Sequence, residues 1–197
     1  MASRLGAMEQ RSTSIDGCLV LALEPHVDER GFFARAFDAE RLAEAGMITE
    51  VAQINMAHSR KVGTIRGVHW QRAPHAEAKF VRCVRGSVFD VCVDVRAGSA
   101  TSGRWFGVEL STENNLALYV PPGCGHVNQS LAPDTTILYT VSVPYAPETE
   151  MGARWDDRAF AIDWPVTENV IVSAKDRAWP DWEGPVLPAT ADDIMPL

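Results

Sequence analysis

The sequence predicts a mainly β protein, built either as a sandwich or as a jelly roll. Within residues 87–95, Phe89, Val91 and Val93 alternate with the intervening residues at the period-two spacing of a strand. Residues 136–143 repeat this alternation. Many short strands with turn signals between them, and one early helix, are typical of two packed sheets rather than of an α/β protein.

The other elements follow from shorter signals. Asp38 can cap a helix over 39–45, and Gly46 is placed to end it. From Ala174 onward the chain is rich in Pro and Trp, which predicts an irregular C-terminal tail. The remaining strand candidates are 64–71, 79–85, 104–110 and 116–120.

Size and composition predict one domain over 1–197, with about the first 14 residues flexible. The net charge of −8 argues against nucleic acid or an anionic membrane as the main partner. No apolar run approaches the roughly 20 residues of a membrane-spanning helix, and 1–11 lack the apolar centre of a secretion signal. Four cysteines without a CxxC pairing predict reduced thiols, so we expect a cytoplasmic protein.

The most informative segment is Gly63-Thr-Ile-Arg-Gly-Val-His-Trp-Gln71, with Lys79 ten residues after His69. A histidine can remove a proton next to a carbonyl, and a lysine can hold the resulting enolate, as carbonyl-linked epimerisation requires. Strand alternation places His69 on the same face as Ile65. The spacing alone leaves open an ordinary core or surface histidine.

Tyr139 and Asp176 are the candidate partners of His69. Tyr139 falls on the inward row with Ile137 and Val141, where it is either a buried core tyrosine or a phenol that donates a proton from the face opposite the base. A carboxylate would fix the histidine tautomer, and Asp176 is a candidate that no local spacing identifies.

A metal site is a weaker alternative. The turn before His126 resembles the second cupin signature, whose histidine binds a metal, but the His-x-His pair of the first signature is missing. His69, His75, Glu77 and His126 remain a ligand set on residue type alone.

The ordered motifs resemble the dTDP-4-dehydrorhamnose 3,5-epimerase family over about Asp28 to Asp176. The matching segments include Asp28-Glu-Arg-Gly-Phe-Phe33, Gln53-Ile-Asn55, Ile65-Arg-Gly-Val-His-Trp-Gln71, Gly86-Ser-Val-Phe-Asp-Val-Cys-Val-Asp-Val-Arg96, Pro121-Pro-Gly-Cys-Gly-His126, Arg154-Trp-Asp-Asp157 and Ser173-Ala-Lys-Asp176.

The resemblance implies a cupin-like jelly roll without metal or cofactor, which forms homodimers by strand exchange and acts on a nucleotide-diphosphate sugar. It implies that His69, oriented by Asp176, is the base, that Tyr139 is the opposing acid and that Lys79 stabilises the enolate. The residues implied to hold the nucleotide sugar are Arg30, Gln53, Asn55, Arg66, His126, Glu150 and Lys175, and Tyr145 is implied to stack on the nucleobase.

Departures from the family pattern leave the substrate open. Arg35 stands where the family usually has glutamate. An arginine only donates hydrogen bonds, so it suits an acceptor such as cytosine better than it suits thymine. Trp70 replaces the usual Tyr or Phe, and the loop around His126 lacks the usual aromatic residues. The alternatives are an epimerase acting at one centre of a CDP- or other nucleotide-linked sugar, a 3,4-ketoisomerase and a metal-dependent cupin enzyme.

Overall fold

The computed structural model describes residues 9–184, which form two packed β-sheets and a separate hairpin. The first sheet contains, in spatial order, β1 (Glu9–Ser12), β2 (Leu19–Ala22), β10 (Leu116–Val120), β7 (Lys79–Arg85), β12 (Thr135–Val141) and β5 (Gln53–Ser59). The second contains β13 (Glu150–Gly152), β6 (Thr64–Gln71), β11 (Cys124–Ser130), β8 (Ser87–Asp94) and β9 (Trp105–Ser111), with β14 (Ile171–Val172) parallel to β6. The hairpin is β3 (His26–Asp28) and β4 (Gly31–Phe33).

The main core lies between the two sheets. It joins residues of the first sheet, such as Val81 and Leu118, to residues of the second, such as Val88 and Cys92. The outer face of the second sheet is also covered, because Phe89 and its neighbours pack against the chain that follows β13. Strand β8 is therefore buried on both faces, which explains its nearly continuous apolar sequence.

Two short helices flank the sheets. Helix α1 (Ala39–Glu44) starts at Asp38, whose side chain accepts a hydrogen bond from the Arg41 N–H, and it covers the outer face of the first sheet through Leu42. Helix α2 (Ala174–Arg177) corrects the prediction of a wholly irregular tail. The Ser173 side chain accepts from the Asp176 N–H, a capping signal that the Pro- and Trp-rich composition obscured.

The mainly β, jelly-roll prediction is confirmed, with strands β6, β7 and β10 at the predicted bounds. Part of the segment predicted to be flexible, Glu9–Ser12, pairs with β2. The rest of the predictions for 1–8 and for the tail beyond 184 lie outside the described residues. All four cysteines are buried and free. None of the helices found in 9–184 has the length and apolar character needed to cross a membrane.

A bulge in β6 corrects the predicted orientation of His69. His126 of β11 pairs with His69 and Asn128 pairs with Arg66, so β6 contains one residue more than β11 between these pairs. The extra residue turns His69 to the side of Arg66, whereas Ile65 belongs to the core on the outer face of the second sheet. Gly67 has φ of +122°, and a Cβ there would lie 2.7 Å from the Cα of Val127. Only glycine fits this position.

Candidate active site

The principal cavity, of about 410 Å³, lies between β5, β6, β7 and β12. This volume falls within the usual range for small-molecule sites. A second hollow of about 500 Å³ adjoins it, and His69 and Tyr139 line both. The sites of proton transfer predicted from the sequence therefore lie where the two hollows meet.

His69 and Asp176 form a close pair although they are 107 residues apart. Strand β6 carries His69 and helix α2 carries Asp176, and β14 beside β6 brings the two elements together. The Nε2–Oδ1 distance is 2.6 Å. Burial acts to raise the pKa of Asp176, but hydrogen bonds from His69 and Ser173 outweigh it and the pKa is lowered. Because an ionised carboxylate only accepts, Nε2 of His69 carries the proton and Nδ1 of the neutral ring is free to accept one.

Tyr139 reaches the cavity from β12 and is half-buried. Burial raises the pKa of its phenol, the negative charge of Glu77 raises it further and Arg66 opposes the change. The hydroxyl is therefore protonated at neutral pH, as a proton donor must be.

Lys79 is held at the start of β7 by two acceptors. Its Nζ donates to the His69 carbonyl at 3.2 Å and lies 2.9 Å from Oε1 of Glu77. Both side chains are nearly buried, with 8% and 10% exposed for Lys79 and Glu77. An ammonium has three donors, so one N–H remains for a ligand in the cavity.

A polar cluster borders the open side of the cavity. The Tyr145 hydroxyl donates to Oε2 of Glu150 at 2.7 Å, and Lys175 Nζ lies 2.6 Å from Oε1 of the same carboxylate. Burial acts to raise the pKa of Glu150, but these two donors outweigh it and lower the pKa. Tyr145 and Glu150 line the principal cavity and Lys175 lines the second hollow, so a ligand that spans the two would meet a connected acceptor and cation here.

The remaining polar wall comes from β5 and β6. Gln53 and Asn55 line the principal cavity, and Arg66 lines the second hollow, where its Nη2 donates to the His58 carbonyl at 2.9 Å. Thus the structure brings together ten of the thirteen residues predicted from the sequence: His69, Asp176, Tyr139, Lys79, Gln53, Asn55, Arg66, Tyr145, Glu150 and Lys175.

Three predicted residues do not line either hollow. Arg30 is exposed at the turn of the β3–β4 hairpin and pairs with Asp28. Arg35 lies before α1, where its Nη1 is 3.1 Å from Asp38. His126 is buried and its Nε2 lies 2.8 Å from Oδ1 of Asp90.

Sequence reasoning underrated Gln71 and Glu77. Glu77 entered only as a metal ligand, although its position two residues before Lys79 could have indicated an ion pair. Gln71 is 2% exposed and donates to Glu77 Oε2 at 2.7 Å, and its Oε1 accepts from the Ala146 N–H at 2.6 Å. Within 9–184, no three His, Cys, Asp or Glu side chains are arranged to hold a metal ion together.

Known proteins resemble this chain in sequence and in fold. The family model described as dTDP-4-dehydrorhamnose 3,5-epimerase matches residues 12–184. An enzyme of that name from Sinorhizobium fredii is 40% identical over 182 residues, covering 90% of this chain and 91% of its own.

Two solved structures superimpose closely. The dTDP-6-deoxy-D-glucose-3,5-epimerase of Legionella pneumophila, in complex with dTDP-4-keto-L-rhamnose, has a TM-score of 0.84 and 38% identity, covering 89% of this chain and 93% of its own. A 3'-monoepimerase from Streptomyces bikiniensis, in complex with dTDP-quinovose, has a TM-score of 0.81 and 37% identity, covering 87% and 86%.

A jelly roll with a polar cavity and this close set of relatives defines the chain as a nucleotide-sugar epimerase. The chain belongs to the dTDP-4-dehydrorhamnose 3,5-epimerase family. The resemblance predicted from the ordered motifs is thereby confirmed.

Proposed function

We propose that this enzyme inverts C3 and C5 of a dTDP-linked 4-keto-6-deoxy sugar, with His69 as base and Tyr139 as acid. The observation that carries the proposal is the position of these two side chains where the two hollows meet, with Asp176 holding the imidazole. The names of the relatives support the dTDP-linked substrate.

The proton transfers follow from the contacts. Nδ1 of His69 takes the proton from a carbon next to the C4 ketone, and the C–H electron pair forms the enolate, whose charge settles on the C4 oxygen. The free N–H of Lys79 stabilises that oxygen. The Tyr139 hydroxyl then protonates the carbon from the opposite face, and the phenolate and the imidazolium exchange protons with water.

The remaining polar groups of the two hollows suit the nucleotide end of the proposed substrate. Arg66 and Lys175 supply positive charge for the diphosphate in the second hollow, and Tyr145 is exposed at the rim where it can stack on the base. Gln53 and Asn55 supply amide groups to the sugar. We also propose the cytoplasm as the compartment, since the four buried free thiols suit a reducing environment.

A homodimer explains the exposed apolar surface and Arg30. Phe32 and Phe33 of the hairpin are 58% and 60% exposed, and Ile54 and Met56 on the edge strand β5 are 63% and 70% exposed. We propose that the hairpin of one protomer packs on β5 of the other and thereby brings Arg30 to the partner's cavity. Met56→Glu should reduce the mass measured by light scattering to that of a monomer, and an unchanged dimer would contradict this arrangement.

An NMR time course in D₂O tests the proposed reaction. With dTDP-4-keto-6-deoxyglucose, deuterium should enter at both C3 and C5, and His69→Ala should remove the exchange at both. Turnover without exchange, or a product with the carbonyl moved to C3, would overturn the proposal.

One outcome of this time course and two further arms test the alternatives. Exchange at C3 alone would assign a monoepimerase, which is the activity named for the Streptomyces bikiniensis relative. The hypothesis drawn from Arg35 would make the CDP-linked sugar the better substrate. Because Arg35 pairs with Asp38 and lines neither hollow, we expect the dTDP-linked sugar to react faster instead. Full activity in excess chelator is expected, and its loss would favour the metal-dependent alternative.

A further inference from the structure

Among the described residues, Glu77 is the one whose carboxylate contacts Lys79 in the principal cavity. Its Oε1 lies 2.9 Å from Lys79 Nζ, and its Oε2 accepts from Gln71 Nε2 at 2.7 Å. Both oxygens are therefore engaged, and the side chain is 10% exposed. A carboxylate this close would lower the attraction of Lys79 for an enolate, so its presence needs a compensating role.

The contacts around Gln71 indicate what that role is. Gln71 also donates to the Pro144 carbonyl and accepts from the Ala146 N–H, which fixes the segment that carries Tyr145. Glu77 therefore links Lys79, at the reacting end of the cavity, to the segment at its nucleotide end. A buried ammonium is also costly without an opposite charge, and Glu77 offsets that cost.

We propose that Glu77 is a positioning residue of the epimerisation, which holds Lys79 so that its third N–H faces the ketone oxygen. With the His69 carbonyl and Glu77 occupying two of the three donors, the direction of the remaining N–H is fixed. Misplacement of a catalytic group by about 1 Å can cost on the order of 100-fold in rate. This inference rests on the proposed function.

Glu77 also acts on the proton donor. Burial raises the pKa of the Tyr139 phenol, and two nearby charges shift it further. The Glu77 charge raises it and the Arg66 charge lowers it. Lys79, His69 and Glu150 line the same cavity as Tyr139, Lys175 and Asp176 line the second hollow with it, and the ring of His126 lies 6.4 Å from its ring. Neutralising Glu77 should therefore lower the pKa of Tyr139, and the enzyme should lose its protonated acid at a lower pH.

Glu77→Gln is the test, because the amide keeps the shape but removes the charge, and its single acceptor oxygen can serve Gln71 or Lys79 but not both. We expect kcat to fall about 10- to 100-fold with KM within about threefold, and the alkaline limb of the kcat profile to move to lower pH. Glu77→Asp, which keeps the charge, should recover part of the rate and the wild-type pH profile. Glu113→Gln removes the same charge from the exposed turn before β10 and should match the wild type.

A double-mutant cycle separates an effect through Lys79 from an independent one. If Glu77 acts through Lys79, the kcat of Glu77→Gln/Lys79→Met should be no lower than that of Lys79→Met. Multiplying losses would overturn the proposal, as would a fall of less than threefold for Glu77→Gln in a well-folded protein. If the wild type shows no exchange in D₂O, the proposed function fails instead, so the two failures are distinguishable.

Discussion

Two histidine–aspartate pairs lie on neighbouring strands and differ mainly in their access to the cavity. His69 and His126 are directly paired across β6 and β11, and each ring nitrogen Nε2 contacts a carboxylate, at 2.6 Å to Asp176 and 2.8 Å to Asp90. The His69 side chain is 31% exposed, whereas that of His126 is 8% exposed. The same pair of groups thus lies at a cavity in one case and forms a buried connection between strands in the other.

The partners of the two pairs differ in a related way. Asp176 belongs to a helix at the edge of the second sheet and can orient His69 from outside the sheet. Asp90 lies within β8, with no exposed surface, and its second carboxylate oxygen has no hydrogen-bond partner among the described residues. Breaking the first pair should therefore damage catalysis, and breaking the second should damage stability.

The largest expected effect is that of His69→Ala on the rate. Loss of a general base typically costs about 10²- to 10⁴-fold, so we expect kcat to fall in that range with the free energy of unfolding nearly unchanged. Steady-state kinetics and urea unfolding of the same preparation measure both quantities. A kcat within tenfold of the wild type would remove His69 from the role of base.

The paired substitutions Asp176→Asn and Asp90→Asn should have smaller effects, the first mainly on kcat and the second mainly on the free energy of unfolding. Asp176→Asn removes the charge that supports the imidazolium, so kcat should fall about 100-fold. Asp90→Asn weakens a buried hydrogen bond, so the free energy of unfolding should fall by about 1–3 kcal/mol while kcat changes less than for Asp176→Asn. Equal losses of rate in the two variants would show that the buried pair also takes part in catalysis.

Burial and polarity also separate the strands that could be predicted from the sequence from those that could not. Strands β6, β7 and β10 could be predicted at their observed bounds, because each carries apolar residues, such as Ile65, Val81 and Leu118, that pack into a core. Strand β5 was not predicted, because its exposed residues Ile54 and Met56 are as apolar as those of a core face and hide the alternation. Strand β11 was not predicted for the opposite reason, since it is buried throughout but rich in polar side chains.

The site was predictable in its residue types more than in its geometry. His69, Tyr139 and Lys79 each follow a local motif, but the bulge at Gly67 reverses the face that alternation assigns to His69. The partner carboxylate is 107 residues from His69, so only the fold or a family resemblance could connect them. The Glu77–Lys79 pair spans two residues, yet its significance depends on burial that no spacing reveals.

The smallest expected effect on catalysis is that of Asp94→Asn, which provides a third carboxylate for comparison. Asp94 ends β8 away from the cavity and accepts from Arg96, Ser99 and Thr101. Burial acts to raise its pKa, but these donors outweigh it and lower the pKa from 3.8 to about 2. Since the folded-state pKa is the lower one, this carboxylate stabilises the fold above about pH 4, by about 2 kcal/mol, and the contribution disappears as the pH falls towards 2.

Urea unfolding of the wild type and Asp94→Asn between pH 7 and pH 2.5 measures this contribution. The difference in the free energy of unfolding should be about 2 kcal/mol at neutral pH and should narrow below pH 4, with kcat within about twofold of the wild type. Asp134→Asn, on an exposed turn with φ of +52° that asparagine also tolerates, removes the same charge as a control and should change stability little. A difference that stays constant across this range would mean that Asp94 stabilises the loop through hydrogen bonds that do not depend on its charge.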